Sequence, residues 1–454
     1  MTSLQDLPDL YEASIAELQT GLEAGNFSSV DLVKAYLARI AEVNTDGPAL
    51  RAVLETNPSA LKQAAALDEE RKAKGIRSPL HGIPLLVKDN IATLHEEGMN
   101  TTAGSHALMG SVVPRDATVA AKLREAGAIF IGKAQLSEWA NFRGQVPSGF
   151  SGRGGQATNP YYPKADASGS SSGSGIGTAI GLAADEATLS QPKEILDYTK
   201  ALDPNSLKGV RLGVTRLFQG RDEDAIAVFN TALETLKELG AEIVDPADFP
   251  NAAELLASTH EELVLKTDFK VDLQKYLDGL VQIPTDVRSL ADIIAFNTEN
   301  ADKELVEPYW TSQQRFIGAE ATSMDEAYFE ALAADEKMGR EEGIDATLKK
   351  FNVDALVAPS IGRVTKAPAI AGYPIVCVPL GFHPDTYEPP APEPVIKDKA
   401  PGLPFSLCFV GTAWSEFNLI SYAYAYEQKT QTRLKRLAYP EAIPKTQLKD
   451  VIGS

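Results

Sequence analysis

Lys88 closes the apolar run IPLLVK and stands directly before Asp89 and Asn90. A lysine at a strand end is ordinarily solvated, its stem on apolar surface and its head in water. Burial changes its chemistry. Desolvation lowers the pKa, and the neutral amine can then take a proton from a hydroxyl, help that a serine needs before it can attack an amide. Hydroxyls are concentrated downstream at Ser168 to Ser174, which read SGSSSGS. Taken alone, that stretch is a flexible linker. It runs straight into GIGTAIGLAA, however, a helix of small residues suited to close backbone packing, which a linker does not require. A Gly/Ser loop at a helix N-terminus can instead hold an anion on its free N–H groups. No Gly-Lys-Ser/Thr ending follows, so a phosphate-binding P-loop is not supported.

The elements around these residues alternate between helix and strand. Residues 11 to 44 predict two helices, SIAELQTGLEAG ending at a glycine and SSVDLVKAYLARIAEVN with Ser28 or Ser29 as N-cap and Asp31 in its first turn. HGIPLLVKDNIA predicts a strand ending near Lys88. Asp116 is expected to cap the helix ATVAAKLREAG, and AIFIGKAQ to follow as a strand. KGVRLGV, AEIVDPAD, DALVAPS, YPIVCVPLG and PFSLCFVG read as further strands, DAIAVFNTALETLKELG as an amphipathic helix, 251 to 350 as a long helical stretch and NLISYAYAYEQKTQTRL as a closing helix. Such alternation predicts an α/β fold, a mixed central β-sheet covered by helices on both faces, with the whole chain, 1–454, as one unit. No internal repeat is visible.

Composition narrows the function classes. The chain is 44% hydrophobic and 23% charged, the balance of a globular protein rather than a disordered one. Its net charge of −19 is not interrupted by any long basic cluster, which argues against nucleic acid as a direct partner. The acidic helix from Glu326 to Glu342 reads as a solvated face. Cys377 and Cys408 both lie in apolar runs and are expected to be small buried core residues rather than a disulfide or metal site. The N-terminal residues carry no secretory pattern, and apolar runs fall short of the roughly 18 residues of a membrane span, so a cytoplasmic location is expected.

Several stretches resemble, in order, the amidase signature family of serine amide hydrolases. PLHGIPLLVKDNI, NTTAGSHAL, DATVAAKLREAGAIFIGKAQLSEWA, SGFSGRGGQ and the Ser/Gly loop resemble that family's catalytic-lysine strand and the elements after it, while AGYPIVCVPLGF and GLPFSLCFVGTAWSEFNLISYAYAYEQ resemble its closing strands and helix. The resemblance extends from Pro79 to Gln428. It implies a small-molecule amide substrate, no cofactor and no metal, and a proton relay of a neutral lysine, a serine on a cis peptide bond and a second, nucleophilic serine. The lysine falls on Lys88. Matching SGSSSGS to the family's GGSSGGS loop places the bridging serine at Ser170, after Gly169, with Ser172 where the family has glycine.

The resemblance then breaks. The family's helix leads into a turn of the type GTDTGGS, which carries the nucleophile and the oxyanion donors; here GIGTAIGLAA is followed by DEATLSQPKEILDYTKAL, which holds no glycine-rich turn. A deletion near 184–188, removing the turn and part of the central core, accounts for this, as in a shortened splice or gene-model product. Ser190 is the nearest substitute, but Leu189 and Gln191 beside it allow neither a sharp turn nor a close approach by substrate. The expected function is that of an amidase whose parent chemistry is hydrolysis of a carbon–nitrogen bond by a Ser-Ser-Lys mechanism, impaired in this form. A free-standing amidase would behave as a monomer or homodimer, whereas the alternative of an amidotransferase A subunit calls for partner subunits. Two other readings are a non-catalytic binding or regulatory protein and a scaffold whose halves are joined by the Ser/Gly linker.

Overall fold

The computed structural model describes residues 7–181, 197–389 and 396–453. Its first part holds α1 (Ile15–Glu23), α2 (Ser29–Val43), β1 (Val53–Thr56), α3 (Ala60–Lys74), β2 (Pro84–Lys88), α4 (Thr118–Glu125) and β3 (Ile129–Ala134). A short hairpin, β4 (Phe150–Ser151) and β5 (Gly155–Gln156), precedes α5 (Ser172–Ala179). Then come β6 (Arg211–Val214), α6 (Glu223–Glu238) and β7 (Glu242–Val244). The helical stretch comprises α7 (Ala252–Ala257), α8 (His260–Gly279), α9 (Leu290–Glu299), α10 (Ala301–Glu304), α11 (Gln314–Glu320), α12 (Glu326–Gly339) and α13 (Asp345–Phe351). β8 (Ala355–Pro359), α14 (Lys366–Ala371), β9 (Ile375–Phe382), β10 (Pro404–Val410) and α15 (Glu416–Thr430) complete the order.

Local chemistry explains the first helices. Ser14 accepts a hydrogen bond from the Glu17 N–H and Ser28 one from the Asp31 N–H, while both acidic side chains accept from the capping serine's own N–H. Each is a capping box, satisfying donors that the helix itself leaves open. Ser28, not Ser29, is thus the N-cap of α2. The apolar faces so presented, including Leu18, Leu32 and Ile40, are buried with Ile83, just before β2, and with Ile129 and Ile131 of β3. Full burial of each such side chain contributes about 1.5–3 kcal/mol, against an extended-chain reference that makes this an upper value.

Among the described residues the strands form two separate mixed sheets, or blocks, beside the short β4–β5 hairpin. β1, β3 and β2 form the first, with β3 antiparallel to β1 and parallel to β2. The second runs β7-β6-β8-β10-β9: the first three strands are parallel, and β10 is antiparallel to both neighbours. Helices cover both faces of this second block. Leu212, Val357, Leu407 and Phe409 pack with α6 and α15, whereas Leu356, Ala358 and Val410 point to the side occupied by α7 and α14.

Two local expectations are corrected. Asp116 does not cap α4, whose N-cap is Ala117 with no side-chain bond; its carboxylate instead accepts from the Leu94 N–H at 2.9 Å and from Arg124 Nε at 2.9 Å. A nearby guanidinium outcompetes the weaker local cap. The cysteines are not both buried either: Cys408 is, but Cys377 is exposed, on the strand that among the described residues is the last of its sheet. β1 and the β4–β5 hairpin were not anticipated from the sequence, being too short to show a clear period. The proposed deletion near 184–188 and Ser190 lie outside the described residues. Among the described residues, no helix is long and apolar enough to cross a membrane.

Candidate active site

Lys88 is the final residue of β2, where buried Leu85, Leu86 and Val87 carry it into the protein. Its Nζ donates to Ser170 Oγ at 2.8 Å. Burial is what holds the Lys88 ammonium below the usual lysine range. A half-buried amine with a depressed pKa, within hydrogen-bond reach of a hydroxyl, can accept and return that hydroxyl's proton.

The loop is packed, not a free tether. Ser137 N–H donates to the Ser170 carbonyl at 3.0 Å, and Gly173 N–H donates to the Gln135 carbonyl at 2.8 Å, so that donor of the α5 N-terminus is already occupied. A Cβ on Gly173 would lie 2.1 Å from the Ala52 carbonyl oxygen, and one on Gly169 would lie 2.6 Å from Ser137 Oγ; glycine at both positions lets the chain pass against the end of β3. The Gly169–Ser170 peptide is cis. Ser172, which departs from the family's glycine, is buried and donates to the Ser168 carbonyl at 2.5 Å. Ser168, where that pattern also has glycine, has φ 61°, in the left-handed region. Arg39 holds the far end of α5. Fully buried, it donates to the carbonyls of Ile180 at 3.0 Å and Gly181 at 2.9 Å.

Behind Lys88 lies a polar network that sequence reasoning missed. Asp89 is buried, and its Oδ2 accepts from Thr102 Oγ1 at 2.6 Å and from the Gly104 N–H at 2.9 Å. Arg153 bridges it, standing 3.7 Å from Asp89 Oδ1 and 2.8 Å from Glu55. Lys133, buried in β3, donates to the Ile91 carbonyl at 2.6 Å and to Thr101 Oγ1 at 3.0 Å, and burial pushes its pKa down to about 8. The available signal was a lysine inside the apolar strand IFIGKA. Together these contacts fix the segment that follows Lys88.

Two cavities are lined by chain neighbours of the pair, Asn90 in one and Ser168 and Ser171 in the other. One of about 450 Å³ is walled by Trp139, Phe142, Phe269 and Tyr276, with Asp268 and Asp272 on α8, and reaches Asn90 and Thr101. The other, about 1110 Å³, lies between α5 (Ser174, Ile176, Thr178) and the β9–β10 edge (Cys377, Pro379, Ser406). Among the described residues, no group of three or more His, Cys, Asp or Glu side chains could hold a metal ion.

Known proteins share the sequence pattern and the fold. The family model described as Amidase matches residues 31–184, which include Lys88 and Ser170. A protein of Arthroderma benhamiae that bears an amidase name is 32% identical over 96% of this chain and 89% of its own length. The chain belongs to the amidase signature family. An Arabidopsis thaliana protein with an amidase name is 34% identical, across 93% of this chain and 91% of its own. Among solved amidases, the native peptide amidase from Stenotrophomonas maltophilia superposes with a TM-score of 0.80 at 35% identity, covering 96% of this chain and 99% of that one. The alignment with the Arthroderma protein spans 533 positions, more than the 454 residues here, so this amidase relative carries stretches with no counterpart in the chain.

Proposed function

We propose that this chain is a form of an amide hydrolase that keeps the proton-relay half of a Ser-Ser-Lys site, Lys88 and Ser170, and lacks the nucleophilic half. The observation that carries the reading is the 2.8 Å contact between a desolvated lysine amine and Ser170 Oγ, on a loop fixed by the packing of α5. In the parent reaction Ser170 would pass a proton between Lys88 and the attacking serine, then to the leaving nitrogen. The family match ending at 184, where the GTDTGGS-type turn is missing, supports the loss of the attacking serine from this form. Without it the relay has nothing to activate, and the pocket binds amides without turning them over.

The 450 Å³ cavity favours a parent substrate with an apolar or aromatic group beside its amide, in keeping with the peptide amidase likeness. The test is a pair of hydrolysis assays on peptide and aryl amides. The present chain should release ammonia or amine no faster than its Lys88→Ala variant, while a chain given a family segment between Ala184 and Thr188 should turn over substrate and lose that turnover in Lys88→Ala. Robust hydrolysis by the present chain that disappears in Lys88→Ala would refute the loss of the nucleophile, and Ser190→Ala would be the next variant. An inactive restored chain that is folded would refute the assignment of the relay.

A further inference from the structure

Cys377 and Cys408 face each other across β9 and β10, directly opposed in the strand register. Their sulfurs are 3.0 Å apart. The ladder shows which kind of pair this is. The Ser406 carbonyl accepts from the Ser360 N–H on the β8 side, and the Gly411 N–H donates to the Pro374 carbonyl on the β9 side. Residues 406, 408 and 410 therefore turn their backbone groups toward β8, and Cys408–Cys377 is a non-hydrogen-bonded pair. Such pairs hold their Cα atoms about 4.5 Å apart and their side chains closest, within the roughly 4.4–6.8 Å span that a disulfide bridges. Along β9, Val376 and Val378 pack toward α6 and α15, which turns Cys377 and Pro379 to the other face, where both line the 1110 Å³ cavity.

We infer that Cys377 and Cys408 are an oxidant-modification site, at which a hydroperoxide converts the two thiols into a reversible cross-strand disulfide. Exposed Cys377 is the attacking group and buried Cys408 the resolving one. The hydrogen bond from Cys408 draws the Cys377 thiol below the usual cysteine range and raises Cys408, which sets the same order. Cys377 sulfur attacks the peroxide O–O bond, giving a sulfenic acid and one molecule of alcohol, or of water when the oxidant is hydrogen peroxide. Cys408 sulfur then displaces the sulfenic oxygen as water and closes the S–S bond. Two thiols lose two electrons and two protons; the peroxide takes up both. This chemistry is independent of Lys88 and Ser170.

Treating the folded chain with hydrogen peroxide, then labelling free thiols and mapping both cysteines by mass spectrometry, tests the site. Free thiols should fall from two to none with a single time course, the mass should drop by two hydrogens, and a reductant should restore both. Cys408→Ser should leave Cys377 as a sulfenic acid that dimedone traps. Cys377→Ser should make Cys408 at least roughly ten-fold slower to react, since a buried thiol is poorly accessible. Over-oxidation of Cys377 while Cys408 stays reduced, disulfides between chains, or two intact thiols under conditions that oxidise free glutathione would each overturn the inference. These readings on the unmutated chain stand even where a variant fails to fold.

Discussion

The two sheet blocks treat their polar groups in opposite ways. Around β2 and β3, charged side chains such as Asp89, Lys133 and Arg39 lie buried and each meets a partner, so Lys88 and Ser170 sit on fixed backbone. At the β9 edge of the second block, a thiol and a proline face a cavity on a strand that, among the described residues, has no neighbour on its outer side. Lys88 belongs to the first of these blocks, and Ser170 meets it there. Open edges and uncovered apolar faces mark where a sheet has room for more strands.

If that contrast is right, the first block and the helices docked on it should be sensitive to single polar substitutions. Arg143→Leu should have the largest effect. Arg143 is fully buried, donates to Glu138 Oε1 at 3.0 Å and to the Trp310 carbonyl at 2.5 Å, and Glu304 lies close enough to Glu138 to help burial raise its pKa. Removing it leaves the buried Glu138 carboxyl without its guanidinium, at a cost of about 3–5 kcal/mol. Urea unfolding should show a correspondingly lower midpoint, and an unchanged midpoint would contradict the buried network.

Lys133 gives a pH test of the same block. Its folded-state pKa is depressed to about 8 from the usual lysine value of 10.5, so between those values the unfolded chain binds more protons. Stability should rise with pH through that window, by at most about 1.4 kcal/mol per pH unit for one proton. Below pH 8 the lysine is charged in both states and the burial penalty is fully present. Relative to Lys133→Met, the parent should gain stability from pH 8 to 10.5; parallel curves would remove Lys133 as the cause.

A smaller change is expected at Ser168. Its φ of 61° suits glycine, and Ser168→Gly should stabilise by about 1 kcal/mol or less, the relief of a left-handed residue minus the added freedom of the unfolded chain. A drop in melting temperature would show that the side chain matters more than its backbone. Cys377→Ser, on the open edge, should shift stability by under about 0.5 kcal/mol, as exposed substitutions usually do. A large loss there would mean that the β9 edge is covered after all.

Sequence by itself determined the features that local chemistry controls. Ser14 and Ser28, each with an acid three residues on, start helices, and the run before Lys88 forms a strand because its residues are apolar and bounded by turns. The order of motifs also paired Lys88 with Ser170, which do touch although 82 positions separate them. Tertiary structure decided what those residues meet. Asp116 turned from its helix to Arg124, Lys133 became a buried partner of Thr101, and Cys377 became an exposed edge residue opposite a buried Cys408. No local pattern encodes these outcomes, since the depth of a side chain and the partner opposite it depend on which strands pair and which helices cover them, and those are set by contacts between residues far apart in the chain.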